Sequence, residues 1–342
     1  MERTKLKQIF LAVPQEREQL EHFLAQHDLT LGSDLEYTVG LYDDAVLIGT
    51  GSLSQWVLKC IAVADAYKGL GLTNMIVSHL MIVAYHRSRI HLFLYTKPEN
   101  VHLFRPLGFY PIYELKNTVT LLENTPTGIQ RYLKALRASK READRVGAVI
   151  VNCNPFTLGH RYLIETAVAN CDFVHVFVVQ EDLSVFPFDV RYRLVQQGVR
   201  DLANVQVHEG GDYIISQATF PSYFLKEHKQ VVDAHASLDV GIFAEKIAPV
   251  LGINVRFVGQ EPLCPVTSHY NQVMQDLLPG FGIDVVEIER KELDGDVISV
   301  SQVRKFLRED KFEAIRKIVP DSTYTYLTSA ESRDVINKIK ES

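Results

Sequence analysis

Thr157, Gly159 and His160 stand where an apolar run, residues 146–151, gives way to the start of a predicted helix. A helix N-terminus offers free N–H groups and a partial positive charge, and both attract phosphate oxygens. Gly159 lets the backbone approach a ligand closely, and His160 adds a side-chain donor in the first turn. A match this short occurs often by chance, but its position between a strand and a helix predicts an anion site.

A second turn with hydroxyls and a cation lies at residues 298–304, Ile-Ser-Val-Ser-Gln-Val-Arg, and it also opens a predicted helix. Ser299 or Ser301 can cap that helix. The same hydroxyls can instead hold phosphate oxygens, with Arg304 as a cation beside them. Capping alone would explain the serines, so these residues leave both interpretations open.

Two further turns contain candidate binding residues. Gly259 and Glu261 follow a predicted strand, in the kind of tight polar turn that holds the ribose or base of a nucleotide. In the first half of the chain, Lys68, Gly69 and Gly71 lie between a strand and a helix, where backbone N–H groups can cradle a pyrophosphate. Taken alone, each stretch predicts only a turn.

Strands and helices alternate through the second half of the chain. Apolar runs predict strands at 148–151, 173–179, 205–208, 254–258 and 283–288. Periodic stretches predict helices at 158–170, 190–202, 239–251 and 270–278, with a final helical pair beginning at 301–309. This alternation predicts an α/β domain with a doubly wound, Rossmann-like parallel sheet and ligands at the carboxyl ends of its strands.

The first half is predicted to be a mixed α/β sheet. A hairpin at 37–53 is followed by strands at 57–63, 91–95, 109–113 and 119–122, with helices at 73–85 and 99–107. Tyr95 and Tyr110 are predicted to pack in the interior, and no residue here stands out as a general base for acetyl transfer.

A change of composition between residues 125 and 145 predicts a connecting helix. We place the first domain at 1–125, the linker helix at 126–143 and the second domain at 144–342. One face of that helix is basic, which suits either a solvated connector or a docking surface for an acidic partner. The basic residues of this face are Arg131, Lys134, Arg137 and either Lys140 or Arg141.

Composition restricts the class of protein. A length of 342 residues suggests two domains, and a net charge of −6 argues against a nucleic-acid binder. The four cysteines show no CxxC pair or zinc spacing, and Cys60 and Cys153 lie in apolar runs that predict buried thiols. No apolar run is long enough to span a membrane, and the N-terminus lacks a signal-peptide pattern. A cytoplasmic protein is therefore expected.

The first two turns together resemble the nucleotidylyltransferase superfamily, whose signatures are (H/T)xGH and ISSTxxR. Val300 stands where that pattern has a serine. The resemblance implies in-line attack on the α-phosphate of ATP, with Mg²⁺ carrying part of the charge and no protein nucleophile. It assigns Thr157, His160 and Arg304 to catalysis, and it assigns nucleotide binding to Phe156, Gly159, Arg191, Gly259, Glu261, Ser299 and Ser301.

Arg191 has two open interpretations in this assignment. It is either a second cation of the site or a structural arginine paired with Glu181 or Asp182. Asn154 and Arg191 are also candidates for the pocket of a small carboxylate.

The first half resembles the GNAT acetyltransferase fold, whose pyrophosphate loop is (Q/R)xxGx(G/A). Lys68 and Thr73 depart from that pattern, Gly71 fits it, and Gly69 stands at a variable position. The resemblance implies that this half binds a CoA-like group, with or without catalysis.

The combination of the two halves resembles the citrate lyase ligase family over essentially the whole chain. Stretches 95–104, 154–165, 257–262 and 285–290 are among those that match. The resemblance implies an acid–thiol ligase that activates acetate as acetyl-adenylate and releases pyrophosphate. The acetyl group would then pass to the thiol of a dephospho-CoA-derived prosthetic group on the acyl-carrier subunit of citrate lyase.

Three other functions are compatible with the residues. One is an adenylyltransferase that makes a cofactor from a phosphorylated substrate such as phosphopantetheine. Another is a GNAT acetyltransferase with a nucleotide-sensing second half. The third is a non-catalytic scaffold, which is disfavoured because both anion-binding turns are present in order.

Overall fold

The computed structural model describes residues 4–32, 34–180, 184–214, 228–262 and 264–341. The described residues divide into two compact units. The first falls within Met1–Ile129 and Phe220–Leu238, and the second within Gln130–Thr219 and Asp239–Ser342.

A seven-stranded sheet forms the first unit together with its helices. In chain order the elements are β1 (Thr4–Ile9), α1 (Pro14–Gln26), β2 (Tyr37–Asp43), β3 (Val46–Ser54), β4 (Val57–Val63), α2 (Leu72–His86), β5 (Phe93–Thr96), α3 (Val101–Phe104), β6 (Tyr110–Leu115) and β7 (Val119–Glu123). The strand order is β1-β2-β3-β4-β5-β7-β6. The predicted mixed sheet is confirmed, with β1 and α1 as elements that the sequence did not predict.

Strands β4 and β5 are the parallel pair of this sheet, and they are bonded only near their starts, at Val57 with Phe93 and Leu58 with Leu94. Their carboxyl ends are therefore not joined by ladder bonds. Helix α2 packs on the sheet through its buried Ile76, Val77 and Leu80. The start of α2 and the unjoined strand ends surround a pocket.

A five-stranded parallel sheet is the centre of the second unit, with order β10-β9-β8-β11-β12. Its elements are α4 (Gly128–Arg137), β8 (Val146–Val151), α5 (Leu158–Asn170), β9 (Phe173–Val178), α6 (Phe188–Gly198), β10 (Val205–Glu209), α7 (His228–Ile242), α8 (Ala248–Leu251), β11 (Val255–Gly259), α9 (Pro265–Leu277), β12 (Asp284–Ile288), β13 (Glu292–Leu293), β14 (Asp296–Val297), α10 (Val300–Arg308), α11 (Phe312–Arg316), α12 (Asp321–Leu327) and α13 (Arg333–Glu341). The predicted parallel sheet is confirmed. Two helices cross the boundaries of this unit: α4 begins two residues before it, and α7 begins in residues grouped with the first unit.

Several predicted boundaries in this half were wrong. The helix expected at 239–251 begins earlier, at His228, and passes through a π-helical turn, Phe243–Ile247, before Pro249, which has no N–H to donate. Helix α9 begins at Pro265 because proline is well suited to a first helical position.

The end of the chain also differs from the prediction. The final pair is a series of four helices, α10 to α13, preceded by a hairpin whose strands are too short to show periodicity. Helix α4 ends at Arg137, so Lys140 and Arg141 lie beyond it, while Arg131, Lys134 and Arg137 are exposed on the helix.

Both expectations for Cys60 and Cys153 are confirmed, because both thiols are buried and all four cysteines are free. Burial raises the pKa of the Cys60 thiol to about 12. Within the described ranges, no helix is long and apolar enough to cross a membrane.

Two buried histidines lie side by side on the sheet of the second unit. His175 Nδ1 on β9 is 2.9 Å from His208 Nε2 on β10, and the two residues are 0% and 7% exposed. Burial lowers the pKa of His208 to about 4. Burial, then the charge of His208 and that of Arg141, lowers the pKa of His175 to about 3. Both imidazoles are therefore neutral in the folded protein at neutral pH.

We expect this pair to make the second unit labile to acid. Below the ordinary imidazole pKa of 6.5 the unfolded chain binds protons that the folded chain does not. The contribution of the two neutral imidazoles to the free energy of unfolding is therefore fully present above pH 6.5 and decreases as the pH falls toward 4. At pH 5 the decrease is about 2 kcal/mol per imidazole. Urea unfolding followed by circular dichroism at pH 7 and pH 5 measures the loss.

His208→Gln should remove about half of that loss, since it leaves one buried imidazole to titrate. His86→Gln, at an exposed position on α2, is the control and should leave the pH dependence unchanged. If the free energy of unfolding of His208→Gln fell between pH 7 and pH 5 as much as that of the wild type, the buried histidine pair would not be its cause.

Candidate functional site

The turn between β8 and α5 brings Thr157 and His160 together. Thr157 is the N-cap of α5, and its hydroxyl accepts a hydrogen bond from the His160 backbone N–H at 3.4 Å. In return, the Thr157 backbone N–H donates to His160 Nδ1 at 3.1 Å. This reciprocal capping fixes the imidazole against the first turn of the helix.

His160 is therefore a neutral hydrogen-bond donor. Burial, and secondarily the charge of Arg290, lowers the pKa of the imidazole to about 4. Since Nδ1 accepts from Thr157, the single ring proton belongs on Nε2. A neutral ring with its proton on Nε2 can donate a hydrogen bond to a ligand oxygen, but it contributes no positive charge.

The two predicted anion-binding turns meet in the structure. A Cβ added to Gly159 would lie 3.2 Å from the backbone oxygen of Ile298, which is closer than side-chain carbons normally pack. Ser299 is the N-cap of α10 and accepts from the Gln302 N–H at 3.2 Å. Ser301 is exposed in the first turn of that helix. The starts of α5 and α10 therefore adjoin, and glycine at 159 permits the approach.

Arg304 lies at the junction of these turns. Its Nη2 donates to the backbone oxygen of Asn154 at 3.0 Å, just ahead of the α5 turn. Its Nε is buried, and no hydrogen-bond partner for it is found among the described residues. Burial, and the nearby charge of Arg308, lowers the pKa of the guanidinium. A buried cation with an unused donor suits an anionic ligand.

The ends of β11 and β12 contribute a third group. Glu261 forms an ion pair with Arg290, whose Nε also donates to the backbone oxygen of Gln260 at 2.7 Å. The carbonyl of Gly259 accepts from Asn271 Nδ2 at 2.9 Å. Sequence reasoning assigned no role to Arg290. The available signal was its position directly beyond the carboxyl end of a predicted strand.

Arg191 lies in the interior and is 0% exposed. Its Nη1 donates to the backbone oxygens of Asn152 and Val179, each at 2.8 Å, and so joins the residues that follow β8 and β9. Its Nε donates to the Phe186 oxygen at 3.0 Å. The alternative partners, residues 181 and 182, lie outside the described residues. A direct contact of Arg191 with a ligand stays a prediction.

Two neighbouring residues support the same turn. The buried ring of Phe156 stacks beside the His160 ring, with 6.1 Å between centroids, and its backbone oxygen accepts from Thr323 at 2.9 Å. Asn154 Oδ1 accepts from the Phe186 N–H at 3.0 Å. These contacts fix the backbone that presents His160 and Arg304.

The first unit has a pocket of its own, of about 620 Å³. It lies at the ends of β4 and β5 and the start of α2, and its lining includes Lys68, Gly69 and Gly71. The two glycines have φ of +80° and +75°, and no described atom lies within 4 Å of where a Cβ would be. Lys68 is exposed and pairs with Asp65 at 2.6 Å. The loop therefore presents open backbone to the pocket.

The expectation for the two tyrosines was half right. Tyr95 is 6% exposed and packs as predicted, but Tyr110 is 43% exposed. Tyr110 begins β6, the edge strand of the sheet.

Comparison with known proteins gives consistent results. Residues 146–327 match the family of the citrate lyase ligase C-terminal domain. A citrate (pro-3S)-lyase ligase from Klebsiella pneumoniae is 42% identical over 315 residues, covering 91% of this chain and 92% of that protein. The protein of the same name from Haemophilus influenzae is 41% identical over 314 residues, covering 90% and 94%.

Solved structures are more distant. Thermotoga maritima TmcAL bound with alpha-thio ATP is 14% identical, with a TM-score of 0.39, over 54% of this chain and 55% of that one. A TM-score of this size supports no conclusion about the site.

Proposed function

Because the chain belongs to the citrate lyase ligase family, we propose that it activates acetate with ATP and acetylates a carrier thiol. Acetate forms acetyl-adenylate with release of pyrophosphate. The acetyl group then passes to the dephospho-CoA-derived prosthetic group on the acyl-carrier subunit of citrate lyase. The observation that supports this most is the junction of the two turns, where Gly159 adjoins Ile298.

The first step forms a bond between an acetate oxygen and the α-phosphorus of ATP, and breaks the bond to the pyrophosphate oxygen. Charge grows on the phosphate oxygens, so catalysis consists of positioning and neutralisation. His160 Nε2–H and the guanidinium of Arg304 donate to the α- and β-phosphates, and Thr157 orients His160. Ser299, Ser301 and the free N–H groups of α10 close the triphosphate site.

In the second step the carrier thiolate attacks the acetyl carbon. A thioester bond forms, the bond between the acetyl carbon and the AMP oxygen breaks, and AMP leaves with the electron pair. The thiol proton passes to solvent. The reaction therefore yields an acetylated carrier, AMP and pyrophosphate.

Mg²⁺ fits this site as a companion of ATP. Among the residues that the structure describes, no three His, Cys, Asp or Glu side chains are grouped as metal ligands. The ion would be held through the phosphates of ATP and would neutralise part of their charge. Arg304, with its unused Nε, supplies the protein's cation beside it.

We place the nucleoside at the carboxyl end of β11. No described atom lies within 4 Å of where a Cβ of Gly259 would be, so there is space for a ribose or base against the backbone. This position follows the general rule that ligands of parallel sheets bind beyond the carboxyl ends of the strands. We also propose a cytoplasmic location, which the four free cysteines support.

The pocket of the first unit is proposed to hold the CoA-like arm of the carrier. Gly69 and Gly71 would present backbone N–H groups to its pyrophosphate, with Lys68 as a cation nearby. The volume of about 620 Å³ is in the range of small-molecule sites.

Gly71→Ala tests that role. The added methyl group would occupy the open side of the loop and hinder approach of a pyrophosphate, so the KM for the carrier should rise about tenfold, or 1.4 kcal/mol. Acetate-dependent exchange of pyrophosphate into ATP should not change, because it does not need the carrier. The measurement is carrier acetylation at varied carrier concentration.

Gly282→Ala is the matched control, since Gly282 has φ of +73° and equally open space, and the backbone strain is the same. It should leave the carrier KM unchanged. If both variants raise the KM equally, strain rather than binding explains the effect.

The experiment that tests the proposed function is acetate-dependent exchange of labelled pyrophosphate into ATP, followed by transfer to the carrier. Exchange that requires phosphopantetheine instead of acetate would establish the adenylyltransferase alternative. Acetylation from acetyl-CoA without ATP would establish the acetyltransferase alternative.

A further inference from the structure

Arg290 follows β12 and lies in a half-buried ion pair. Its Nη2 pairs with Glu261, and its side chain and that of Glu261 are 26% and 14% exposed. Its Nε donates to the Gln260 oxygen at 2.7 Å. Among the described residues nothing accepts a hydrogen bond from its Nη1. The carboxylate thus fixes one edge of the guanidinium and leaves a donor for a ligand.

The segment that contains Arg290 adjoins both anion-binding turns. The backbone oxygen of Lys291 accepts from the Ile298 N–H at 2.9 Å, and Ile298 in turn adjoins Gly159. The Lys291 ammonium lies over the ring of Tyr162 in α5, 5.6 Å from its centroid. The charge of Arg290 reaches His160, where it adds to the effect of burial on the imidazole pKa.

We propose that Arg290 is a further cation of the triphosphate site, and that Glu261 positions it. This rests on the proposed function. As the bond to the α-phosphorus breaks, negative charge collects on the departing pyrophosphate, and a guanidinium held beside the starts of α5 and α10 neutralises it. Glu261 then acts through Arg290 and not by touching the nucleoside.

The charges in the site fit this assignment. His160 is neutral and contributes only a donor, so Arg304 would be the single cation from the two signature motifs. A triphosphate carries several negative charges, and a second arginine improves the balance. A carboxylate next to Arg290 keeps its orientation fixed while leaving the site open to an anion.

Binding of inorganic pyrophosphate, ATP and AMP by the full chain tests the proposal. Arg290→Gln should weaken pyrophosphate and ATP binding about tenfold or more, while AMP, which lacks the leaving group, binds as before. Arg290→Lys keeps the charge but loses the fork, and it should recover part of the affinity. Unchanged pyrophosphate binding in a folded Arg290→Gln protein would overturn the proposal.

Glu261→Gln tests the positioning role, because Gln can still accept the Cys264 N–H that Glu261 Oε1 accepts at 3.2 Å. It should weaken pyrophosphate binding in the wild-type background and have no further effect in the Arg290→Gln background. Additive effects would show that Glu261 acts independently of Arg290, which contradicts the positioning role.

Arg193→Gln is the control, since Arg193 belongs to another ion pair of the same unit, with Glu331 at 2.5 Å. It should leave all three affinities unchanged. If the wild-type protein shows no acetate-dependent pyrophosphate exchange, acetate is not its substrate and the proposed function fails. The comparison of pyrophosphate, ATP and AMP binding tests the role of Arg290 separately, because it does not depend on acetate.

Discussion

His160→Ala lowers acetate-dependent pyrophosphate exchange by a hundredfold or more, equivalent to about 3 kcal/mol of transition-state stabilisation. The variant loses the Nε2–H donor that the hydrogen bond from Thr157 to Nδ1 holds in place. The fold survives, because the Thr157 hydroxyl still accepts the backbone N–H of residue 160 and caps α5. Steady-state exchange rates at saturating ATP and acetate measure the effect.

The control for this prediction is a thermal unfolding curve of the same variant. An intact transition with lost turnover assigns the effect to the site. A variant that folds and turns over at a near-normal rate would remove His160 from the mechanism.

Arg304→Gln lowers kcat/KM for ATP by about a hundredfold, because a cation in contact with the phosphates is replaced by a neutral amide. Glutamine is shorter and also loses the hydrogen bond to the Asn154 oxygen, so a thermal unfolding curve of the variant separates the lost charge and Nε donor from a loosened turn. Kinetics of exchange at varied ATP measure the change in kcat/KM.

Arg308→Gln is the matched control, one turn further along α10 and exposed. Its charge acts on Arg304 only as a neighbour, so we expect a change of less than about threefold. Equal losses in the two variants would indicate a general effect of positive charge instead of a contact at residue 304.

Local sequence signals predicted the central part of the fold. The helix expected at 158–170 is α5 with identical ends, because its first residues carry a capping threonine and its apolar periodicity is regular. The five strands of the parallel sheet were all predicted within one or two residues. Apolar strands flanked by polar turns are short-range patterns, so they can be recognised in a single sequence without knowledge of the tertiary structure.

Other elements could not be predicted because their cause is not local. The start of α7 at His228 extends eleven residues before the expected one, and the stretch there lacks a clear apolar period. The β13–β14 hairpin has two-residue strands, which exist because they pair with each other and not because of any pattern.

The sequence by itself predicted the central strands and helices of both units, the two turns that open α5 and α10, and the family to which the chain belongs. Only the tertiary structure decided what surrounds each cation: Arg304 donates to the Asn154 oxygen ahead of α5, Arg290 pairs with Glu261, and Arg191 donates to strand-end carbonyls in the interior. The reason is physical. A motif specifies its own backbone, but the surroundings of a side chain depend on the order of strands in the sheet and on segments more than a hundred residues away.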